Sequence, residues 1–220
     1  MRSLRFALLA TTLPALFALT ACEDPAKDKP KAVVEAPAPA KTPEKAPAAE
    51  KVLETLDVDA AGSTVGFVGS KVTGKHEGKF EKISGKISLT ESKAEGGKVS
   101  FEIETASVKT DEADLDKHLK AADFFDVEKF PKATFSSTEV KAGGANGATH
   151  TITGELDLHG NKKTISFPVT IAVTPEAVTG TAEFSINRRD FGIVIAGRPN
   201  DLIRDDVLLK ISLKAPRKKI

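Results

Sequence analysis

From about Leu53 onward, apolar residues fall on every second position. Ile83, Gly85, Ile87 and Leu89 are separated by Ser84, Lys86 and Ser88. Val99, Phe101 and Ile103 alternate with Ser100, Glu102 and Glu104, and Ile152, Gly154, Leu156 and Leu158 alternate with Thr153, Glu155 and Asp157. The longest row is Ile165, Phe167, Val169, Ile171 and Val173. Val65 and Phe67 precede these rows; Ala182, Phe184 and Ile186, then Val207, Leu209, Ile211 and Leu213, follow them. A period of two gives strands with one apolar face and one wet face. Gly96-Gly97, Gly143-Gly144, Asn146-Gly147 and Gly160-Asn161 supply turns. The pattern predicts an all-β chain of about eight or nine strands, counting shorter ones near Leu53 and Phe135, in an antiparallel sheet that must curl into a barrel or fold over as a sandwich.

One segment breaks the alternation. Asp111 to Ala122 reads DEADLDKHLKAA, with Leu115 and Leu119 one helical turn apart, acids early and Lys117, His118 and Lys120 late. Charges placed that way complement a helix dipole, so a short amphipathic α-helix is expected here. Phe124, Phe125 and Phe130 follow, closed by Pro131. Apolar rings gathered beside one short helix are expected to form a lid or plug.

The N-terminal quarter has a different texture. Arg2 and Arg5 precede a mostly apolar run from Phe6 to Ala21. That run is short for a span of ~20 residues and has the layout of a secretory signal. It ends in Leu19-Thr20-Ala21-Cys22, which resembles the bacterial lipobox, and Cys22 is the only cysteine of the chain. An acylated Cys22 would be the membrane attachment point, each buried CH₂ adding ~0.8 kcal/mol. Glu23 follows it, and an aspartate at that place would be the inner-membrane retention signal. The expected location is therefore the outer membrane, facing the periplasm, with the cell surface as an alternative. Residues 23 to 52 hold six of the 12 prolines amid Ala, Lys and Glu, without apolar periodicity. This reads as a semi-stiff stalk, able to reach on the order of 90 Å when extended. The expected organisation is a signal peptide at 1–21, an acylated cysteine and linker at 22–52, and one domain at 53–220.

Composition narrows the function classes. The chain has 220 residues, a net charge of +1 and 29% charged residues. It lacks the basic excess of a nucleic-acid binder. With 12 Phe and no Trp or Tyr, its aromatic surface carries no hydrogen-bond donor, which suits a wholly apolar partner. One cysteine excludes an internal disulfide and a cysteine-based zinc site. The four histidines show no metal-ligand spacing, so no metal and no cofactor is expected beyond a bound lipid.

The stretch Asp116-Lys117-His118-Leu119-Lys120-Ala121-Ala122-Asp123-Phe124-Phe125-Asp126, continuing through Phe130-Pro131 to Phe135, resembles the signature of the YceI-like family. Three other patches agree in order and spacing: Gly78-Lys79-Phe80 before Gly85, Gly154-Glu155-Leu156-Asp157-Leu158-His159-Gly160, and Asn187-Arg188-Arg189-Asp190-Phe191-Gly192. The resemblance implies an extended, lipocalin-like antiparallel β-barrel with one short α-helix, whose interior holds a long polyisoprenoid chain such as a quinone or isoprenoid-lipid tail. Family members are often soluble periplasmic proteins, and the lipobox and proline-rich linker depart from that.

Inward parity then nominates the lining of such a cavity. Candidate ligand contacts are Val65 and Phe67, Phe101 and Ile103, and Phe124 and Phe125 beside the helix. Ile152 and Leu156, Phe167, Val169 and Ile171, Phe184 and Ile186, and Leu209 complete them. Gly85, Gly154 and Ala182 share that parity and would leave room for a ligand. Patterning alone does not separate a pocket from a filled core.

His118, Asp123, Arg188 and Asp190 are the candidate polar contacts, at the rim or at a ligand headgroup. Arg188 shares parity with Phe184 and Ile186, and an inward arginine needs a partner, for which Asp190, Asp123 or a headgroup qualifies. His118 among Asp114, Asp116 and Asp123 could serve as a base. No nucleophile or metal cluster accompanies it, so a structural role is preferred, and no catalytic residue is assigned. A binding module is thus expected, with an isoprenoid lipid and the membrane as partners and a homodimer left open. The alternatives are a structural or stress-related envelope lipoprotein with a filled core and, behind it, an enzyme acting on such a lipid.

Overall fold

The computed structural model describes residues 23–35, 52–194 and 203–217. The signal-like segment, Cys22, and residues 36–51 of the expected stalk lie outside them. The elements run β1 (Val33–Glu35), β2 (Val52–Asp57), β3 (Thr64–Lys71), β4 (Gly74–Phe80), β5 (Ile83–Thr90), β6 (Lys93–Glu104), β7 (Val108–Thr110) and α1 (Ala113–Lys120). They continue with β8 (Lys132–Ala142), β9 (His150–Leu158), β10 (Asn161–Val173), β11 (Ala177–Asn187) and β12 (Asp206–Pro216). Every named pairing is antiparallel, in the order β2-β5-β6-β8-β9-β10-β11-β12-β3-β4-β7, and β1 joins at β10. The sheet curls so that its β2 end returns to β12. Glu54 pairs with Arg217 at 2.6 Å, and the Asp59 amide donates to the Lys214 carbonyl at 2.8 Å. This arginine fork holds the Glu54 carboxyl below its usual range.

The alternation left a barrel and a sandwich open; the barrel implied by the family resemblance is the one present, with more strands than the eight or nine predicted. The surplus lies where the pattern is silent. β4 reads GKHEGKF and reaches the core only through its last residue, Phe80. β7 is three residues long. β8 carries a register shift between Ser137 and Glu139, so its buried positions change from Phe135 and Ser137 to Val140. A bulge adds one residue to one strand and moves the following side chains to the other face.

The helix occupies 113–120, two residues shorter at each end than its sequence pattern. Leu119 is buried, and so is Asp116. The Asp116 carboxylate accepts from the Thr110 hydroxyl at 2.8 Å and from its amide at 2.6 Å, fastening α1 to β7. Those bonds, the hydroxyl's first, favour the charged form and lower the pKa of Asp116.

The expected free stalk is not what residues 23–35 form. They pack along the outside of the barrel and then enter its wall. Ala26 covers Val68 and Leu208. Asp24 pairs with Arg204 at 2.9 Å, Lys31 with Asp206 at 2.7 Å, and Lys29 with Glu183. Lys31 bridges Ser185 of β11, and Val33–Glu35 pairs with Thr164–Ser166 of β10. Proline content had masked a short alternation in which Ala32 is buried and Val34 half-buried while Lys31, Val33 and Glu35 face water.

Candidate functional site

The inward rows of the strands do not meet to fill the barrel. They leave two apolar cavities, of about 170 and 50 Å³, separated by a waist. Phe101, Phe135, Phe167 and Ile211 line both, so the two form one interior divided by these side chains. The rings at the waist are in mutual contact. Phe101 and Phe135 lie 5.5 Å apart, Phe135 and Phe167 5.6 Å, and Phe167 stacks on Phe184 at 4.1 Å.

The fourteen apolar candidates all fall on these walls. Val65, Phe67, Ile103, Phe124, Phe125, Leu156, Phe184, Ile186 and Leu209 line the larger cavity; Ile152, Val169 and Ile171 line the smaller one; Phe101 and Phe167 line both. Phe124 and Phe125 close the larger cavity next to α1. Phe125 packs edge-on against Phe80 at 5.6 Å and Phe67 at 6.3 Å, which roots it in the core as well. Other wall residues were not nominated. Phe135 and Ile211 sit at the waist, and Ile165, Ile193 and Ile203 line the larger cavity. The parity of Ile165 and Ile211 was visible in the sequence. The bulge in β8 hid that of Phe135, and Ile193 and Ile203 are outside regular strands.

Gly85 and Gly154 do not leave room for a ligand, contrary to expectation. A Cβ on Gly85 would lie 2.8 Å from Cβ of Phe101 and 2.4 Å from the Ser100 carbonyl. On Gly154 it would lie 2.6 Å from the Phe135 ring. Neighbouring phenylalanines already use that space. Ala182, by contrast, does line the smaller cavity.

The polar candidates separate. Arg188 is buried in the wall of the larger cavity, and its carboxylate partner is Asp205 at 2.8 Å, neither Asp190 nor Asp123. Its other nitrogens donate to the Ile193 carbonyl at 2.6 Å and the Arg204 carbonyl at 3.4 Å. Burial lowers the pKa of Arg188, with Asp205 opposing. Asp190 is exposed and outside both cavities. His118 meets Asp123 at 3.3 Å and lies edge-on to Phe124 at 5.2 Å, half in solvent and away from the cavity walls. The geometry therefore gives His118 a role in bracing the Phe124 turn. Among the described residues no cluster of His, Cys, Asp or Glu could hold a metal, and no helix is long and apolar enough to cross a membrane.

A curled antiparallel β-barrel with an apolar interior divided at an aromatic waist and, among the described residues, one α-helix defines the class of protein. The chain belongs to the YceI-like family, whose domain description matches residues 56–215. A UPF0312 protein of Pseudomonas putida is 35% identical over 136 residues, covering 59% of this chain and 70% of its own. Among solved structures, Burkholderia cenocepacia BcnA is similar with a TM-score of 0.65 and 29% identity, covering 72% of this chain and 99% of BcnA. A domain from Saccharophagus degradans, described as polyisoprenoid-binding, shares the fold at a TM-score of 0.58 and 18% identity, over 74% of this chain and 98% of its own.

Proposed function

We propose that this protein is a membrane-tethered periplasmic lipid-binding protein that holds a polyisoprenoid chain, such as a quinone or isoprenoid-lipid tail, for sequestration or transfer. The carrying observation is the pair of apolar cavities that share Phe101, Phe135, Phe167 and Ile211 as their common wall. A slender, branched hydrocarbon suits such an interior, because its walls offer many apolar contacts and almost no hydrogen-bonding partner. Burying several hundred Å² at ~25 cal/mol per Å² gains several kcal/mol without any polar contact. The polyisoprenoid-binding description of the Saccharophagus degradans domain supports the same ligand class. Tethering rests on the lipobox-like Leu19-Thr20-Ala21-Cys22, and the outer-membrane, periplasm-facing location on Glu23. Catalysis finds no support in the site, since His118 stands outside the cavities and Arg188 is committed to Asp205 and two carbonyls.

Purified protein extracted with organic solvent and read by mass spectrometry should release a prenyl-chain lipid in near-stoichiometric amount. A protein that is consistently empty, and that also fails to take up long-chain quinones, would be a filled-core envelope lipoprotein instead.

A further inference from the structure

The barrel wall has a seam, and the chain's own N-terminal segment closes it. β10 and β11 pair only from Thr170↔Thr181 to Val173↔Val178, next to their connecting turn. Carrying that register on would set Ser166 opposite Ser185, but there the two strands have parted. Ser166 pairs with Val33 instead, and Ser185 bridges Lys31. The Ala32 amide donates to the Ser185 carbonyl at 2.8 Å, and the Ser185 amide donates to the Pro30 carbonyl at 2.9 Å. The ladder stops next to Pro168, a residue with no amide hydrogen to extend it. A cleft of about 360 Å³ flanked by Lys29, Pro30, Pro168 and Glu183 marks the parting.

Residues 30–35 are thus an inserted stave. Ala32 and Val34 turn inward and join the cluster of Ile165, Phe167, Phe184 and Ile186, all four of which line the larger cavity. Few bonds hold the stave. The ladder to β10 has three residue pairs, against eleven between β11 and β12. Its flanking ion pairs, Lys29–Glu183 and Lys31–Asp206, are between exposed side chains and so are weakened by salt. Short, exposed elements with few buried contacts open first in a native protein.

We propose that the β10–β11 seam is a lateral port into the lipid cavity and that residues 30–35 are its gate. This rests on the lipid-binding reading. Displacing the stave would uncover the apolar row from Ile165 to Phe167 and from Phe184 to Ile186, letting a long chain enter sideways instead of threading from one end.

The test pairs Val33→Cys with Ser166→Cys, facing positions on the two strands, in the full chain carrying Cys22→Ser. The probe is a radiolabelled long-chain polyprenol offered in phosphatidylcholine vesicles. The disulfide form should load roughly tenfold or more slowly than the same protein reduced with a phosphine, with the final amount bound unchanged. A second variant, Lys29→Glu with Lys31→Glu, should load faster than the parent. Equal loading rates for the oxidised and reduced forms, or no acceleration in the charge variant, overturn the gate. Hydrogen exchange of the lipid-free protein separates the two readings. The Ala32 and Ser185 amides should exchange well before those of the β11–β12 ladder. If all exchange together, the stave does not open and the gate falls, whatever the lipid does. If the seam opens early but no form takes up polyprenol, the lipid-binding reading fails, and the gate with it.

Discussion

At Gly154 and Gly85 a side chain is missing because a neighbour's atoms need the space: the Phe135 ring in the first case, Phe101 and a carbonyl in the second. The same logic holds at Gly78, where a Cβ would sit 2.3 Å from the ring of Phe67, its Cα partner across the ladder. The sequence shows the glycines and their parity but not the rings that lean over them, so room for packing and room for a ligand look alike until the strands are paired. Arg188 is the opposite case. Its inward parity was legible, but its partner, Asp205, sits on the approach to the last strand, and no local spacing connects the two. Arg188→Ala leaves the Ile193 and Arg204 carbonyls short of a donor, while Asp205 keeps Arg189 at 3.6 Å. Because that carboxylate remains partly exposed and partly paired, the expected loss is about 2–3 kcal/mol, below the range for a fully orphaned buried charge. Arg188→Lys should recover less than half of it, since an ammonium cannot replace the guanidinium fork. Urea unfolding midpoints of the two variants check both statements; a wild-type midpoint for either would mean the network contributes nothing.

At the scale of elements, alternation recovered the long central strands and the turns between them, because each has one face on the core and one in water. It lost β4, β7 and β1, which are either polar on both faces or too short to establish a period. The helix was legible from Leu115, Leu119 and its charge order, and the rings after it from their density. What could not be read was that Phe124 and Phe125 differ. Both line the larger cavity, but Phe125 also packs on Phe67 and Phe80, whereas Phe124 leans on the half-exposed His118. Phe125→Ala therefore removes core contacts and should cost about 2–4 kcal/mol of stability. Phe124→Ala should cost ~1 kcal/mol in stability, yet weaken retention of a bound lipid about tenfold, because its loss falls mainly on the cavity side. Denaturation curves and solvent-extracted lipid content, measured on both variants, separate the effects. Equal destabilisation by the two would remove the distinction between wall and core.

For the whole molecule, the decisive point is where the chain first touches the barrel. A stalk running from residue 23 to 52 would let the domain swing on the order of 90 Å from the membrane. The structure instead docks residues 23–35 on the barrel, so Glu35 and Val52 both end in strands of one sheet. The docked residues 23–35 therefore add nothing to its reach. If Cys22 is the acylation site, the domain is moored one residue before its first docked segment, and that segment pairs Asp24 with Arg204, a wall residue of the larger cavity. Cys22→Ser should move the protein from the membrane fraction to the soluble fraction, since the lipobox reading makes the acyl chains on that cysteine the attachment. With the acylated protein on a supported bilayer, neutron reflectometry should then show the protein layer directly against the headgroups. A solvent-filled gap of tens of ångströms would mean that residues 23–35 leave the barrel when the protein is anchored, and it would return the segment to the role of a stalk. A layer in contact with the membrane sets the seam between β10 and β11 within reach of the lipids it would have to admit, because the segment that closes the seam is the one that leads to the anchor.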